Sequence, residues 1–184
     1  MSVLDIRVLG DPVLRQETTP VATVTDEHRQ LIDDMFETMR AARGIGLAAP
    51  QVGRLERITV IEVDDGSGPI ALVNPEIVAR EGTIKGEEGC LSIPDVFGDV
   101  ERAAAVEVQA LDRDGRPIMV KGAELLSRCM QHEIDHLHGK LFIDHLSFLK
   151  RRAALDEWSR LRDKYPGLVV RPAAAAARHK STEL

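Results

Sequence analysis

The chain has 184 residues, of which 43% are hydrophobic and 29% are charged, and its net charge at pH 7 is −6. This length predicts about one domain with its own hydrophobic core. The composition is too apolar for a wholly disordered chain, and the apolar runs are too short for a membrane span. The negative net charge argues against broad nucleic-acid binding. From the apolar runs and the charge together, we expect no membrane partner and no specific DNA partner.

The N-terminus does not resemble a secretory signal, because Asp5 and Arg7 interrupt the region where an apolar centre would be needed. We therefore expect a cytoplasmic protein. Its two cysteines, Cys90 and Cys129, are then expected to be free, ligating or catalytic rather than joined in a disulfide.

The first predicted element is a helix that starts at Thr25 and ends before Gly44, with apolar residues at intervals of three and four. Short apolar or alternating runs bounded by turn residues then predict strands at 58–63, 70–73, 106–110 and 117–120. Further helices are predicted from about Ala123 to His138 and from about Ser147 to Lys164. This order indicates an α+β fold, in which antiparallel strands pack around the middle helix between an N-terminal and a C-terminal helix.

We predict one catalytic domain over residues 1–165 and a disordered, alanine-rich basic tail over residues 166–184. Charge is unevenly distributed, because residues 146–184 contain nine Lys or Arg residues against four acidic ones. The C-terminal part is therefore basic within an acidic protein.

The middle helix contains the sequence His132-Glu133-Ile134-Asp135-His136, an H-E-x-x-H pattern. Residues four apart lie about 40° apart around a helix, so both imidazoles can reach one metal ion. This short pattern is also compatible with a solvated helical face. A mononuclear catalytic site needs a third protein ligand, which the residues directly after His136 do not supply.

Two other segments offer chemistry near a metal. In Glu88-Gly89-Cys90-Leu91-Ser92, a thiolate beside glycine could approach a metal closely, although a buried structural cysteine is the alternative. In the segment 44–51, small residues end in Gln51, a neutral amide donor. This segment could equally be a helix terminator followed by an apolar strand.

Together, segments 44–51, 88–92 and 131–139 resemble in order the three signature motifs of peptide deformylases, the hydrolases that remove the N-formyl group from nascent polypeptides during protein biosynthesis. The resemblance extends from about Ile6 to about Leu149. It implies a metal-dependent amide hydrolase that acts on N-formylmethionyl peptides.

The resemblance also implies a role for each matched residue. One divalent metal is bound by Cys90, His132 and His136. Catalysis involves Glu133 as general acid and base, with the Leu91 backbone N–H and the Gln51 side-chain amide at the developing oxyanion. The substrate backbone pairs with Gly46, and the methionine side chain enters a pocket lined by Ile45, Glu88, Leu125, Cys129 and the His132 ring.

Fe²⁺ is the metal that the resemblance implies, with Zn²⁺, Ni²⁺ or Co²⁺ as alternatives. A thiolate ligand also makes Zn²⁺ a weaker Lewis acid than it is in a His₂Glu site. The family further implies docking of the basic C-terminal helix near the ribosomal exit tunnel. The candidates for phosphate contacts are Lys150, Arg151, Arg152, Arg160 and Arg162, and a solvated helix face is the alternative.

Two positions depart from the family pattern. The sequence after Pro94 reads Asp95-Val96-Phe97, where many bacterial members have an arginine near the substrate backbone. Arg128 stands beside the pocket where the family is often apolar, so the far end of the methionine pocket departs from the family pattern there. The alternative is an exposed helix residue whose stem covers apolar surface.

We also predict an ion pair between Asp135 and Arg102.

Two other functions would account for only part of the sequence pattern. A general zinc endopeptidase would leave the Cys90 and Gln51 segments unexplained, and a non-catalytic ribosome-binding module would not need Glu133.

Overall fold

The computed structural model of the protein describes residues 2–172. Within this part of the chain there are three α-helices: α1 (Asp26–Ala41), α2 (Glu124–Leu137) and α3 (Phe148–Leu161). The strands are β1 (Ile6–Arg7), β2 (Gly46–Ala48), β3 (Ile58–Ile61), β4 (Ile70–Glu81), β5 (Ile84–Cys90), β6 (Ile93–Arg102), β7 (Ala105–Leu111), β8 (Pro117–Ala123) and β9 (Val169–Val170). The predicted α+β class is confirmed.

Five strands form an antiparallel sheet in the order β2-β3-β4-β7-β8. Its side chains alternate between two layers, as strand geometry requires. On β3, Ile58 and Val60 pack into the cluster that contains the buried face of α1, whereas Ile61 packs into the cluster that contains α2. Helix α2 therefore lies on the opposite face of the sheet from α1.

The predicted helices are confirmed to within a few residues. Helix α1 has Thr25 as its N-cap, and α2 has Ala123 as its N-cap and ends at Leu137, just before Gly139. No helix within residues 2–172 has both the length and the apolar character needed to cross a bilayer.

The strand prediction is incomplete, most clearly in β4 and in the β5–β6 hairpin. The run 70–73 does not end at Asn74 but continues to Glu81, because a shift of register after Val73 absorbs the turn residues. Asn74 has a φ of 52°, and its side chain bonds the backbone N–H and C=O of Val21. The sequence indicates a strand-like segment before Cys90 but not its pairing: β5 ends at Cys90 and forms with β6 a separate two-stranded sheet.

The C-terminal part of the chain packs against this hairpin. Helix α3 buries Ala154 and Trp158 against β6, and Trp158 stacks on Tyr165 with the ring centroids 5.7 Å apart. The segment 166–170 then forms a short 3₁₀ turn and β9, which pairs with β1. The folded part therefore continues past the predicted boundary at residue 165. The reason is that β9 pairs with β1, about 160 positions earlier in the sequence, and local composition does not reveal such a partner. Residues 173–184 of the predicted tail lie outside the described residues.

Candidate active site

A cavity of about 620 Å³ lies between β2, the β5–β6 hairpin and α2. Ten of the eleven residues predicted to form the site line it. These are Ile45, Gly46, Gln51, Glu88, Cys90, Leu91, Leu125, Cys129, His132 and Glu133. The eleventh, His136, is buried behind the wall with its Nε2 3.3 Å from the Cys90 Sγ. Three segments that are distant in sequence thus meet at one place.

Cys90, His132 and His136 form a group that could hold a metal ion beside the cavity. One potential ligand atom from each lies within 4.8 Å of the others. The backbone N–H of Ser92 lies 3.4 Å from the Cys90 Sγ, and burial lowers the pKa of His136 well below its usual range, which favours the neutral imidazole that a metal requires. One thiolate and two imidazoles are a donor set that fits a tetrahedral divalent metal with one position left for water or substrate.

The other cysteine has a different environment. Cys129 is buried on α2, its Sγ lies 3.5 Å from the Ile45 carbonyl oxygen, and burial raises the pKa of its thiol well above the ordinary value. A protonated thiol is a poor metal ligand. Both cysteines are free in the structure, as expected.

The His132 ring is oriented by Glu88. The Nδ1 of His132 lies 2.9 Å from the Glu88 Oε2, which leaves Nε2 directed toward the ligand group. Burial alone would raise the pKa of Glu88, but hydrogen bonds from Arg102 and His132 outweigh it and hold this pKa well below the usual range. Glu88 is therefore an ionised partner of one histidine of the candidate ligand group, a role that the sequence did not suggest.

The carboxyl group of Glu133 lies against Gly46. Its Oε2 is buried and has no hydrogen-bond partner among the described residues. Burial raises the pKa of Glu133 to about 7, and the nearby Glu88 carboxylate acts in the same direction. A carboxyl group with this pKa can accept and return a proton near neutral pH.

Gln51 is fixed on the opposite side of the thiolate. Its Oε1 accepts from the Ala48 backbone N–H at 2.8 Å, so the amide nitrogen must point the other way. That nitrogen lies 3.1 Å from the Ser92 Oγ and 3.6 Å from the Cys90 Sγ. The hydroxyl of Ser92, a residue given no role from sequence although it lies within the matched segment, therefore helps to orient the Gln51 amide.

Apolar side chains surround the mouth of the cavity. Ile45 is 42% exposed, Leu125 is 53% exposed and Phe97 is 59% exposed, although all three line the cavity wall. Tyr165 and Pro172 complete the wall from the C-terminal part of the chain. Nothing in the local sequence indicates these two residues, because tertiary contacts such as the stacking of Tyr165 on Trp158 and the β1–β9 pairing bring them to the cavity.

Arg128 is buried, so the alternative of an exposed helix residue is wrong. It is only 8% exposed, and its guanidinium contacts Glu88 and three backbone carbonyl groups of the hairpin. The burial arises because the ionised Glu88 faces this turn of α2. By contrast, the predicted ion pair between Asp135 and Arg102 is present, and His145 also contacts Asp135.

An α+β fold with a Cys/His/His group, an adjacent buried glutamate and an apolar groove defines a mononuclear metal-dependent hydrolase. The family model described as polypeptide deformylase matches residues 3–152. A peptide deformylase of Alkalilimnicola ehrlichii is 54% identical over 154 residues, which cover 83% of this chain and 86% of that relative.

Solved structures agree with this match. A peptide deformylase from Legionella pneumophila superposes with a TM-score of 0.82 at 48% identity and covers 90% of this chain and 100% of its own. The Ehrlichia chaffeensis enzyme in complex with actinonin superposes with a TM-score of 0.84 at 40% identity, over 90% and 99% of the two chains. The chain belongs to the polypeptide deformylase family, and its activity is removal of the N-formyl group from nascent polypeptides.

The contact between Gly46 and Glu133 leaves no room for a side chain. A Cβ on Gly46 would lie 2.7 Å from the Glu133 Cδ and 2.8 Å from the Cys129 Sγ. We expect Gly46→Ala to displace the glutamate and to reduce kcat by about 100-fold, since a misplacement near 1 Å has an effect of that order. Metal content, measured by elemental analysis, should not change.

The control is Gly66→Ala, where no atom lies within 4 Å of a Cβ. Its φ of 86° strains an alanine, so it tests the loss of a glycine's backbone freedom without any contact to the site, and both variants are assayed well below their thermal midpoints. This control should keep its kcat. A Gly46→Ala enzyme with the wild-type kcat would show that the position of Glu133 is not constrained by the glycine.

Proposed function

We propose that Cys90, His132 and His136 hold one catalytic divalent metal and that Glu133 is the proton carrier of deformylation. The observation that supports this most directly is the convergence of the three ligand atoms within 4.8 Å of one another, next to a cavity wall that contains a buried, unpartnered glutamate oxygen. A divalent metal supplies a Lewis acid there, which polarises the formyl carbonyl and lowers the pKa of a water molecule.

Glu133 is suited to both proton transfers of the reaction. It accepts the proton of the attacking water and then delivers a proton to the amine nitrogen that leaves, while the products are formate and a free N-terminus. Its pKa of about 7 makes both directions accessible near neutral pH. Because its Oε2 has no partner within the described residues, no hydrogen bond has to be broken first.

The negative charge that develops on the formyl oxygen needs donors that are already oriented. The Gln51 amide nitrogen is turned toward Cys90 by the bond that its oxygen accepts from Ala48, and the Leu91 backbone N–H follows directly after Cys90. We assign both groups to the oxyanion. A preorganised donor of this kind contributes roughly 10²–10³ in rate.

The cavity shape supports an extended substrate. Strand β2 is an edge strand, so the backbone of Gly46 can pair with a peptide as another strand would. We assign the pocket for the first side chain of the substrate to Ile45, Glu88, Leu125, Cys129 and the His132 ring, which all line the cavity. Such an apolar pocket discriminates by only about 1–3 kcal/mol per methylene, so other unbranched apolar residues should be accepted.

Loss of Glu133 should separate metal binding from chemistry. We expect Glu133→Ala, loaded with the same metal content as the parent, to release no formate from a formyl-Met tripeptide, because the proposed proton carrier is then missing. The parent should turn over, and so should Glu124→Gln, a change at the exposed first turn of the same helix.

Conversely, Cys90→Ala should lower the metal content itself. Turnover by Glu133→Ala at the parent rate would overturn the assigned role, and full metal occupancy in Cys90→Ala would overturn the ligand set.

We propose Fe²⁺ as the metal. A thiolate ligand donates charge to the metal and makes Zn²⁺ a weaker Lewis acid than it is in a His₂Glu site, so Fe²⁺ becomes the favoured metal. Zn²⁺, Ni²⁺ and Co²⁺ are compatible with the same donors.

An Fe²⁺ enzyme with an accessible thiolate should be sensitive to air. Protein prepared without oxygen should lose formate release on aerobic ageing, whereas a Ni²⁺-loaded sample of the same protein should lose much less. Equal activity of aged and anaerobic Fe²⁺ samples would contradict this assignment.

We propose that the enzyme works in the cytoplasm and docks on the ribosome through α3. The exposed side chains of Arg152 and Arg162 make no ion pair within the described residues, whereas Lys150 and Arg151 already contact Asp99 and Asp144. Free cations on an exposed helix are suited to RNA phosphates, and such contacts weaken as salt rises.

Reversal of charge on α3 and at Arg162, which directly follows it, should abolish docking without unfolding the helix. We expect the triple variant Arg152→Glu, Arg160→Glu and Arg162→Glu to stop cosedimenting with ribosomes in low salt while it still cleaves formyl tripeptides. The control carries three reversals away from α3, Lys85→Glu, Arg116→Glu and Lys140→Glu. Equal cosedimentation of the two variants would remove the docking proposal.

A further inference from the structure

Arg128 joins the metal-binding helix to the β5–β6 hairpin. Its Nη1 donates to the Glu88 Oε1 at 2.8 Å and to the Val100 carbonyl at 3.0 Å, and its Nη2 donates to the Ile84 carbonyl at 3.0 Å. The side chain is 8% exposed and also lines the active-site cavity. A buried guanidinium of this kind is costly unless a carboxylate compensates its charge.

Gly86 makes the room that the guanidinium occupies. A glycine inside a strand is unfavourable, and the backbone of Gly86 is not in the left-handed region that would require one. A Cβ at this position would lie 3.2 Å from the Arg128 Nη2 and 3.4 Å from its Cζ. The glycine and the arginine therefore complement each other across the hairpin.

Glu88 pairs with two arginines, and only one of them also pairs with a second carboxylate. Arg102 contacts both Glu88 and Asp135, so its charge is divided between two carboxylates. Among the described residues, Glu88 is the only carboxylate that pairs with Arg128. Arg128 approaches the Glu88 Oε1, which leaves the Oε2 facing the Nδ1 of His132.

We propose that Arg128 is a positioning residue of the metal site. It holds the Glu88 carboxylate in the orientation that receives the His132 Nδ1–H, and this keeps the His132 Nε2 directed at the metal. The inference rests on the proposed ligand role of His132 and extends it to a residue that is not itself one of the proposed ligands. Partners of this type typically change metal affinity by about 10–100-fold.

The direct test measures metal binding in Arg128→Met, which keeps the length of the stem and removes the charge and the donors. The full-length protein is loaded with Co²⁺ under anaerobic conditions, and the transfer of Co²⁺ to a chelator is followed by absorbance. We expect affinity to fall about 10–100-fold, with a changed visible spectrum of the bound Co²⁺ because the His132 ring is no longer held. Arg128→Lys, which retains the charge, should recover part of the affinity.

A second variant separates positioning from general packing. Gly86→Ala combined with Arg128→Met returns some of the lost volume to the hairpin, so its thermal midpoint should exceed that of Arg128→Met while its Co²⁺ affinity stays low. If affinity instead recovers together with the thermal midpoint, Arg128 only packs the hairpin and the proposal is overturned. Wild-type affinity and spectrum in Arg128→Met would overturn it as well.

The matched control is Arg57→Met. Arg57 also donates to a carboxylate and to a backbone carbonyl, those of Glu17 and Thr18, but it does not line the cavity. It should lower the thermal midpoint and leave the Co²⁺ affinity and spectrum unchanged. The ligand set itself is tested separately, because Cys90→Ala must weaken Co²⁺ binding whatever Arg128 does.

Discussion

The buried carboxylate of Glu88 is the constraint on which the site depends. It belongs to a hairpin that forms its own two-stranded sheet, whereas α2 follows the last strand of the five-stranded sheet. A buried ion costs several kcal/mol of desolvation unless its partners are in place. Arg102, Arg128 and His132 provide those partners from two different parts of the fold. The ionised Glu88 therefore requires the hairpin and the helix to assemble together, and this assembly also brings Cys90 to the two histidines.

The same cavity holds two glutamates with opposite properties. Hydrogen bonds from Arg102 and His132 overcome the effect of burial at Glu88 and keep its pKa well below the usual range, whereas burial raises the pKa of Glu133 to about 7. Environment alone makes one carboxylate a permanent anion and the other a group that can exchange protons. The close approach of Gly46 keeps the second carboxyl group near the substrate edge of β2.

Prediction from sequence worked where the signal is local. The three helices follow from apolar spacing and from caps such as Thr25, and the H-E-x-x-H spacing alone places both histidines on one face of α2. It failed where pairing depends on distant strands. The segment 84–90 contains two glycines and three charged residues, so it lacks the alternation of a half-buried strand, yet β6 pairs with it along most of its length. Asn74 looked like a strand end because its role in a register shift depends on β7 and Val21.

The sequence by itself determined the family, the candidate ligands Cys90, His132 and His136, and the helix on which two of them lie, because short motifs and helical periodicity are properties of neighbouring residues. Only the tertiary structure decided which group orients His132, why Arg128 is buried, and how Tyr165 and Pro172 reach the cavity. These features depend on ion pairs and strand pairing between residues about 40 to 160 positions apart. Such contacts are selected by packing and desolvation of the whole domain, and no local pattern encodes them.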